Sequence, residues 1–494
     1  MARPLNVLFL SSEVEPFAKT GGLADVSGSL PRTIKHFDHE IRIMMPCYGS
    51  INERTAKLYE MIRLKNVQVP VGSKIYPASV KSSIISNNSS NLQIYFLGNS
   101  ELFSRTGLYV DPGTQKDYHD NDERFIFFCR GVLEVLKTMG WQPDIIHCND
   151  WQTGLVPAYL KTIYRNDPFY KDTKTVFTIH NMAYQGAFPI STFAKTSLPM
   201  EVLSESGVLA DGNLNMMKSG LMFADALTTV SERYAKEIQC SAEFGYGLQG
   251  VVRARNKDLF GIINGIDYSI WNPAIDELIP HRYDSKSIDV KLENKKELLA
   301  SVGLPFSEST PLVGIISRLA DQKGFDLIGS ILEQLMQMDL QLIILGTGEK
   351  RYHDMLERAH RTFPQKIAIH LAFNNELAHL IEAASDMFLM PSRYEPCGLN
   401  QLYSLKYGTV PIVRATGGLD DTIEQVDPST GSGTGFKFTK YDSAELLWTV
   451  QGALQLFRDR TLWRKIVKNG MSKDFSWESS AKKYIHLYRS VLRS

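Results

Sequence analysis

Nine short apolar runs that end abruptly in polar or glycine-bearing residues constrain this chain more than any other feature. NVLFLSSE, EIRIMMP, PDIIHCND, TVFTIHN and ALTTVSE fall in its first half, and PLVGIISR, QLIILGTGE, DMFLMPSR and TVPIVRA in its second. Runs without polar alternation read as strands buried on both faces, and intervening stretches such as ELAHLIEAAS carry the period of helices. Strand and helix alternating along the chain give an α/β protein, in which helices cover both faces of a parallel sheet.

With 494 residues the chain exceeds what one hydrophobic core supports. Its strands form two series, from Asn6 to about Ile263 and from about Pro311 onward. Between them lies a connector rich in Asn, Pro, Asp and Lys, INGIDYSIWNPAIDELIPHRYDSKSIDVKLENKKEL. The expectation is two Rossmann-like, doubly wound domains facing a central cleft. Chemistry is then expected just past each strand, because such sheets bind ligands beyond the carboxyl ends of their strands. The polar stretch LFSRTGLYVDPGTQKDYHDNDERF is long for a connection and is expected to be a mobile, substrate-contacting loop. QVDPSTGSGTGF reads as a local flexible loop.

Lysine and arginine total 54, as do aspartate and glutamate. A balanced charge removes the basic excess that gives sequence-independent affinity for nucleic acid, so a neutral partner fits better. No apolar run is long enough to span a membrane, and MARPLNVLFLSS lacks a signal-peptide cleavage pattern. The cysteines, Cys47, Cys129, Cys148, Cys240 and Cys397, are scattered and form no CxxC pair, against a disulfide framework or a structural zinc site. His147 and His180 stand far apart with no HExxH spacing, so neither a metal nor another cofactor is expected. The expected setting is cytosolic, where the Asn88-Ser89-Ser90 sequon is only a polar hairpin tip.

After the first strand comes Lys19-Thr20-Gly21-Gly22-Leu23, with Asp25 beyond. Paired glycines let a backbone approach a ligand, and amides opening the next helix favour an anion; an ordinary turn has the same letters. Arg318 and Lys323 follow PLVGIIS, a guanidinium and an ammonium able to grip a diphosphate or to form a solvated pair. His180, after TVFT, can bind a sugar hydroxyl or be a satisfied strand-end histidine. Asp150, after PDIIHC, can bond an acceptor sugar while the Trp151 ring stacks on it, or can cap a helix. Glu395, within MPSRYEPCGL, can be nucleophile, general base or stabiliser of a cationic sugar, or a helix-start carboxylate near the macrodipole. Gly398, Leu399 and Asn400 then open a helix whose amides can meet the same phosphates as Arg318 and Lys323.

In order, KTGGLADV, HCNDWQTGLVPAYL, FTIHNMAYQG, SRLADQKGFDL, PSRYEPCGLNQLYSLKYGTVP and ATGGLDDTI resemble the bacterial and plastid type of glycogen or starch synthase. These are retaining, ADP-glucose-using glucosyltransferases of glycosyltransferase family 5, with the two-domain GT-B architecture, and the resemblance spans nearly the whole chain. It implies that Lys19, Gly21 and Gly22 lie near the diphosphate and glucosyl group, supported by Asp25. It implies that Arg318 and Lys323 bind the diphosphate, with Cys397, Gly398, Leu399 and Asn400 also on the donor. Catalysis falls to Glu395, with Asp150 and with His180, which lies over the donor glucose next to Asn181. Glu13, Asp150 and Trp151 fall on the acceptor side. Phe373 stands where members often have a tyrosine against adenine, and losing the hydroxyl leaves stacking intact. Gln152 stands where some have histidine, and Asn400 where many have threonine. The implied domains are 1–264 on the acceptor side and 265–478 on the donor side. A helix at 479–494, within WESSAKKYIHLYRSVL and the residues after it, returns to the first domain.

The reaction implied is transfer of glucose from ADP-glucose to the non-reducing end of an α-1,4-glucan with retention, in a bacterial cytosol or a plastid, with no nucleic-acid or membrane partner. Arg318, Lys323 and the amides from Gly398 onward would stabilise the departing diphosphate without a metal, and domain closure would exclude water. Glu395 fits either a covalent glycosyl intermediate or front-face attack. The competing readings are a related GT-B transferase with another acceptor or a UDP-glucose donor, and a catalytically silent glucan-binding protein. The KTGGLADV run argues against another acceptor, and ADP-glucose over UDP-glucose follows from the resemblance alone; Glu395, Lys323 and Lys19, all retained, argue against the silent protein.

Overall fold

The computed structural model describes residues 3–87 and 90–493, so the hairpin tip expected at Asn88-Ser89 lies outside the described residues. The chain divides into two units. One comprises Met1–Val230, Ala235–Gly265 and Trp477–Ser494, the other Ser231–Tyr234 and Ile266–Ser476.

The first unit is built on a nine-stranded sheet in the order Leu259–Gly261, Ala226–Thr229, Lys174–Ile179, Ile145–Asn149, Asn6–Leu10, Glu40–Pro46, Ser90–Gly98, Lys74–Asn87, Tyr59–Val71. The first seven run parallel. The last two are antiparallel, which departs from the wholly parallel sheet expected. In Lys74–Asn87 the buried residues Tyr76, Ala78 and Val80 alternate with outward-facing ones, Ile75 among them. One face of this pair is wet, so its sequence lacks the unbroken apolar run of the parallel strands.

From Asn6–Leu10 the chain builds outward to Glu40–Pro46 and Ser90–Gly98, then returns to place Ile145–Asn149 on the other flank. That reversal is a topological switch point, and it puts a crevice past Leu10 and Asn149. The helix Trp477–Val491 belongs to this unit and packs on the helix Gly22–His36. His147 Nδ1 lies 2.7 Å from the Tyr488 hydroxyl, and Ser480 Oγ donates to Ile263 O at 2.6 Å.

The second unit has six parallel strands in the order Ile367–His370, Gln341–Leu345, Leu312–Ile316, Met387–Met390, Val410–Arg414, Phe436–Phe438. Successive side chains point to opposite faces. Val313, Ile315, Leu342 and Ile344 pack with Phe325, Ile328 and Leu332 of the helix Phe325–Gln337. Leu312, Ile343 and Leu345 pack on the other face with Leu298, Leu299, Ile381 and Ala384. Each such side chain contributes about 1.5–3 kcal/mol by leaving water, which holds both helical layers on the sheet. Here the switch point lies between Leu312–Ile316 and Met387–Met390, so the crevice opens past Ile316 and Met390.

The connector read from sequence is part of this unit's core: Ile279, Tyr283 and Ile288 are buried in it, and the Tyr283 hydroxyl donates to Tyr407 O at 2.7 Å. The stretch expected to be a flexible loop, QVDPSTGSGTGF, folds back on itself. Asp427 N donates to Ser432 O at 2.9 Å, and Asp427 Oδ1 accepts from Ser429 N at 2.9 Å.

Candidate functional site

At the switch point of the first unit, Glu13 is 4% exposed and anchors the glycine loop. Its Oε2 accepts from the amides of Thr20 (2.5 Å) and Gly21 (3.2 Å); its Oε1 accepts from Thr20 Oγ1 (2.6 Å) and the Tyr109 hydroxyl (2.9 Å). Lys19 Nζ lies 2.6 Å from Asp25 Oδ1, so the expected partnership of these residues is a direct ion pair. A Cβ at Gly21 or Gly22 would meet nothing within 4 Å. Internal packing therefore does not demand glycine there; the open space in front of the backbone is what a ligand would use.

Asp150, across the same switch point, is 9% exposed and held at φ 55°, ψ −178°, a backbone region populated almost only by glycine. That strain aims its carboxylate at the next strand end, where Oδ1 accepts from His180 N at 2.8 Å. Burial pushes its pKa up to about 7 against the opposing backbone hydrogen bonds. Burial also lowers His180 to about 3, so its ring is neutral. Asn149 Nδ2 donates to Leu10 O at 2.8 Å, which leaves Asn149 Oδ1 as the acceptor facing His180 Nε2 at 2.9 Å. The His180 proton is thereby fixed on Nε2, and Nδ1 is left as an acceptor. Asn181 lies next along the chain and turns its Oδ1 onto Ala183 N at 3.0 Å.

Two expectations fail in this unit. The Trp151 ring is not offered to a sugar: it is 8% exposed and packs against Phe125 and Phe188, with Gly186 so close that a Cβ would fall 2.2 Å from the indole. Gln152 is likewise buried beside it. The long polar stretch is also not a free loop. Arg105 bridges Asp120 at 2.5 Å, and the wholly buried Arg124 donates to Leu102 O (2.8 Å) and Leu108 O (2.9 Å).

At the switch point of the second unit, Glu395 is 7% exposed, and its Oε2 accepts from Lys323 Nζ (2.6 Å) and Ser392 Oγ (3.0 Å). Its Oε1 has no hydrogen-bond partner among the described residues. Arg318 stands exposed past Ile316, with Nη2 3.3 Å from Gln322 Oε1. The helix Asn400–Tyr407 starts behind Gly398, and the amides from Gly398 to Gln401 find no acceptor among the described residues, so this end favours an anion. Leu399 is its N-cap and makes no side-chain cap bond. Asn400 ties its side chain to the strand end, donating from Nδ2 to Ile316 O at 2.6 Å, which leaves its second Nδ2 proton and its backbone amide for a phosphate. Cys397 is buried, and its carbonyl accepts from Gln401 Nε2 at 3.0 Å. Phe373, past the strand Ile367–His370, is 86% exposed, as a stacking platform must be.

Residues 6–254 match the family described as the starch synthase catalytic domain, and residues 300–471 match glycosyl transferases group 1. A glycogen synthase of Koribacter versatilis (strain Ellin345) is 46% identical over 490 residues, covering 99% of this chain and 98% of its own. The chain belongs to the bacterial and plastid-type glycogen (starch) synthase family. It is a glycosyltransferase of the two-domain GT-B architecture. A glycogen synthase of Pseudothermotoga lettingae is 44% identical, covering 99% of each chain. The catalytic domain of starch synthase IV from Arabidopsis thaliana, solved bound to ADP and acarbose, superposes with a TM-score of 0.89 at 31% identity over 100% of both chains. Sucrose-phosphate synthase from Thermosynechococcus elongatus, at 16% identity and a TM-score of 0.57, shares the fold.

Sequence reasoning gave no role to the residues that hold the named ones in place: Ser392, Gln401, Asn149, Thr20 and Tyr109. It quoted ATGGLDDTI without a role. A Cβ at Gly417 would fall 1.9 Å from Glu395 O, and one at Gly418 2.0 Å from Cys397 O. The two glycines let the helix Gly417–Thr422 press against the backbone that carries Glu395. A glycine pair just past the strand Val410–Arg414 was the available signal.

Proposed function

We propose that this glycosyltransferase moves the glucosyl group of ADP-glucose onto the non-reducing end of an α-1,4-glucan, retaining the anomeric configuration. The observation that carries the reading is the Lys323 and Glu395 contact beside Arg318 and the unfilled helix amides. As the bond from the anomeric carbon to the diphosphate breaks, negative charge settles on ADP, and those cations and amides are donors suited to take it. A diphosphate that draws the Lys323 ammonium away leaves the Glu395 carboxylate to face the positive sugar. On the first unit, Lys19 and the open backbone of Gly21 and Gly22 serve the donor. His180 accepts a sugar hydroxyl at Nδ1, and Asp150 serves the acceptor. Phe373 is the platform for adenine. The ADP on the Arabidopsis relative supports adenine over uracil, and the relatives point to a bacterial cytosol as the setting.

The test offers ADP-glucose and UDP-glucose together with glycogen as primer, and follows glucose incorporation by the parent and by Glu395→Gln. Preferential use of ADP-glucose, and a loss of about 10²–10³-fold in the variant, are expected. Equal use of both donors would remove the donor assignment, and a near-parental Glu395→Gln rate would remove the role of the carboxylate.

A further inference from the structure

We infer that Glu13 and Tyr109 are positioning residues for the donor loop and that Glu13 is not an acceptor contact, an inference that rests on the donor reading above. An ionised carboxylate offers about four lone-pair sites. Glu13 has four protein donors: the Thr20 amide, the Gly21 amide, the Thr20 hydroxyl and the Tyr109 hydroxyl. A glucan hydroxyl bonding Glu13 would have to displace one of them. The helix Gly22–His36 has no side-chain cap at its own N-cap, Gly21. The Glu13 carboxylate accepts from the two amides that precede this helix and so fixes the backbone from Thr20 to Gly21, which flanks Lys19 and the open space before Gly22.

Tyr109 ties the other end. Its hydroxyl lies 2.7 Å from Ser12 Oγ and 2.9 Å from Glu13 Oε1; the carboxylate has no proton to give, so Tyr109 donates to it. Burial holds the phenol well above its ordinary pKa, so that proton stays in place. The backbone behind Tyr109 is pinned in turn: Asn121 Nδ2 donates to Tyr109 O at 2.9 Å, and Arg124 Nη1 to Leu108 O at 2.9 Å. A continuous chain of hydrogen bonds therefore runs from the 102–125 segment through Tyr109 and Glu13 to the glycine loop.

The test uses the full chain with Tyr109→Phe, Glu13→Gln and the double variant. ADP-glucose is varied at saturating glycogen, then glycogen at saturating ADP-glucose. Tyr109→Phe is expected to raise the KM for ADP-glucose about tenfold, the loss of one hydrogen bond to a charged group. Its KM for glycogen should stay within about twofold, a split that a general loss of stability does not produce. The double variant should be no worse than Glu13→Gln alone, since Tyr109 acts through Glu13. A rise confined to the glycogen KM, or additive losses in the double variant, would overturn the inference. Should Glu13→Gln fail to fold, the KM split in Tyr109→Phe alone decides. Failure of the donor reading is separate: the parent itself would then not use ADP-glucose.

Discussion

Gly418→Ala puts a methyl group where the backbone already is. Its Cβ would lie 2.0 Å from Cys397 O, whereas real Cβ contacts do not fall below 3.0 Å, so the Glu395–Gly398 segment or the Gly417–Thr422 helix must move by about 1 Å. The obstacle is a carbonyl that cannot rotate aside, because it also accepts from Gln401 Nε2 at 3.0 Å. The other tie, Gly418 N donating to Glu395 O at 3.1 Å, transmits the shift to the residue that carries the carboxylate. A misplacement of 1 Å in a reacting constellation costs about 10²-fold in rate, and overpacking costs about 1–3 kcal/mol of stability. The assay is initial-rate glucose incorporation from ADP-glucose into glycogen, with thermal unfolding in the same buffer. Gly22→Ala is the contrast: with nothing within 4 Å of its new methyl, its stability should stay level or rise by up to about 1 kcal/mol, while the donor KM rises. A Gly418→Ala enzyme within threefold of the parental rate would refute the claim that this contact sets the Glu395 geometry.

Three further outcomes are expected. Lys323→Ala leaves the buried Glu395 carboxylate with Ser392 as its remaining donor. It should cost about 1–3 kcal/mol of stability and lower kcat/KM for ADP-glucose by about 10²-fold with the glycogen KM unchanged; equal losses for both substrates would argue against the diphosphate role. Asp150 is raised from 3.8 to about 7 in the folded chain, so the native state binds the extra proton: its contribution is full below about pH 4 and is lost as pH rises through 7. That difference is on the order of 4 kcal/mol, so the parental unfolding midpoint should fall from pH 5 to pH 8 while that of Asp150→Asn stays flatter, and parallel profiles would contradict it. Trp151→Leu should cost about 2–4 kcal/mol by emptying part of an aromatic cluster, without a selective rise in the glycogen KM; such a rise would restore the stacking role.

The parallel core was legible because burial on both faces writes an unbroken apolar run, as in PLVGI and QLIIL. The outer pair Tyr59–Val71 and Lys74–Asn87 was not, because a sheet with one wet face mixes Lys, Ser and Pro among its apolar residues. Short strands such as Leu259–Gly261 and Phe436–Phe438 were equally silent: three residues carry no period to read. Ile279 and Tyr283 are core residues inside a segment whose Asn, Pro and Asp content reads as a loop. Burial there is decided by what the chain packs against, and local composition does not record it.

The site was legible as residue types at strand ends and illegible as bonds. Glu395, Lys323, Arg318, Asp150 and His180 each sit one or a few residues past an apolar run, a place that fold topology alone makes chemical. Whether a group there is free or occupied depends on partners distant in sequence. Trp151, next to Asp150, looked like a sugar platform, yet Phe125, Phe188 and the bare backbone of Gly186 enclose it. Glu13 looked like an acceptor contact, yet four donors fill it, one of them from Tyr109, ninety-six positions away. Phe373 runs the other way: nothing in its neighbours' letters announces exposure, and it stands almost wholly in solvent. Proximity to a strand end therefore selects candidates. Their remaining hydrogen-bonding and stacking capacity, which only the folded chain sets, separates Lys19 and Glu395, each with charge or a lone pair left to offer a ligand, from Glu13 and Trp151, whose capacity is already spent on the protein.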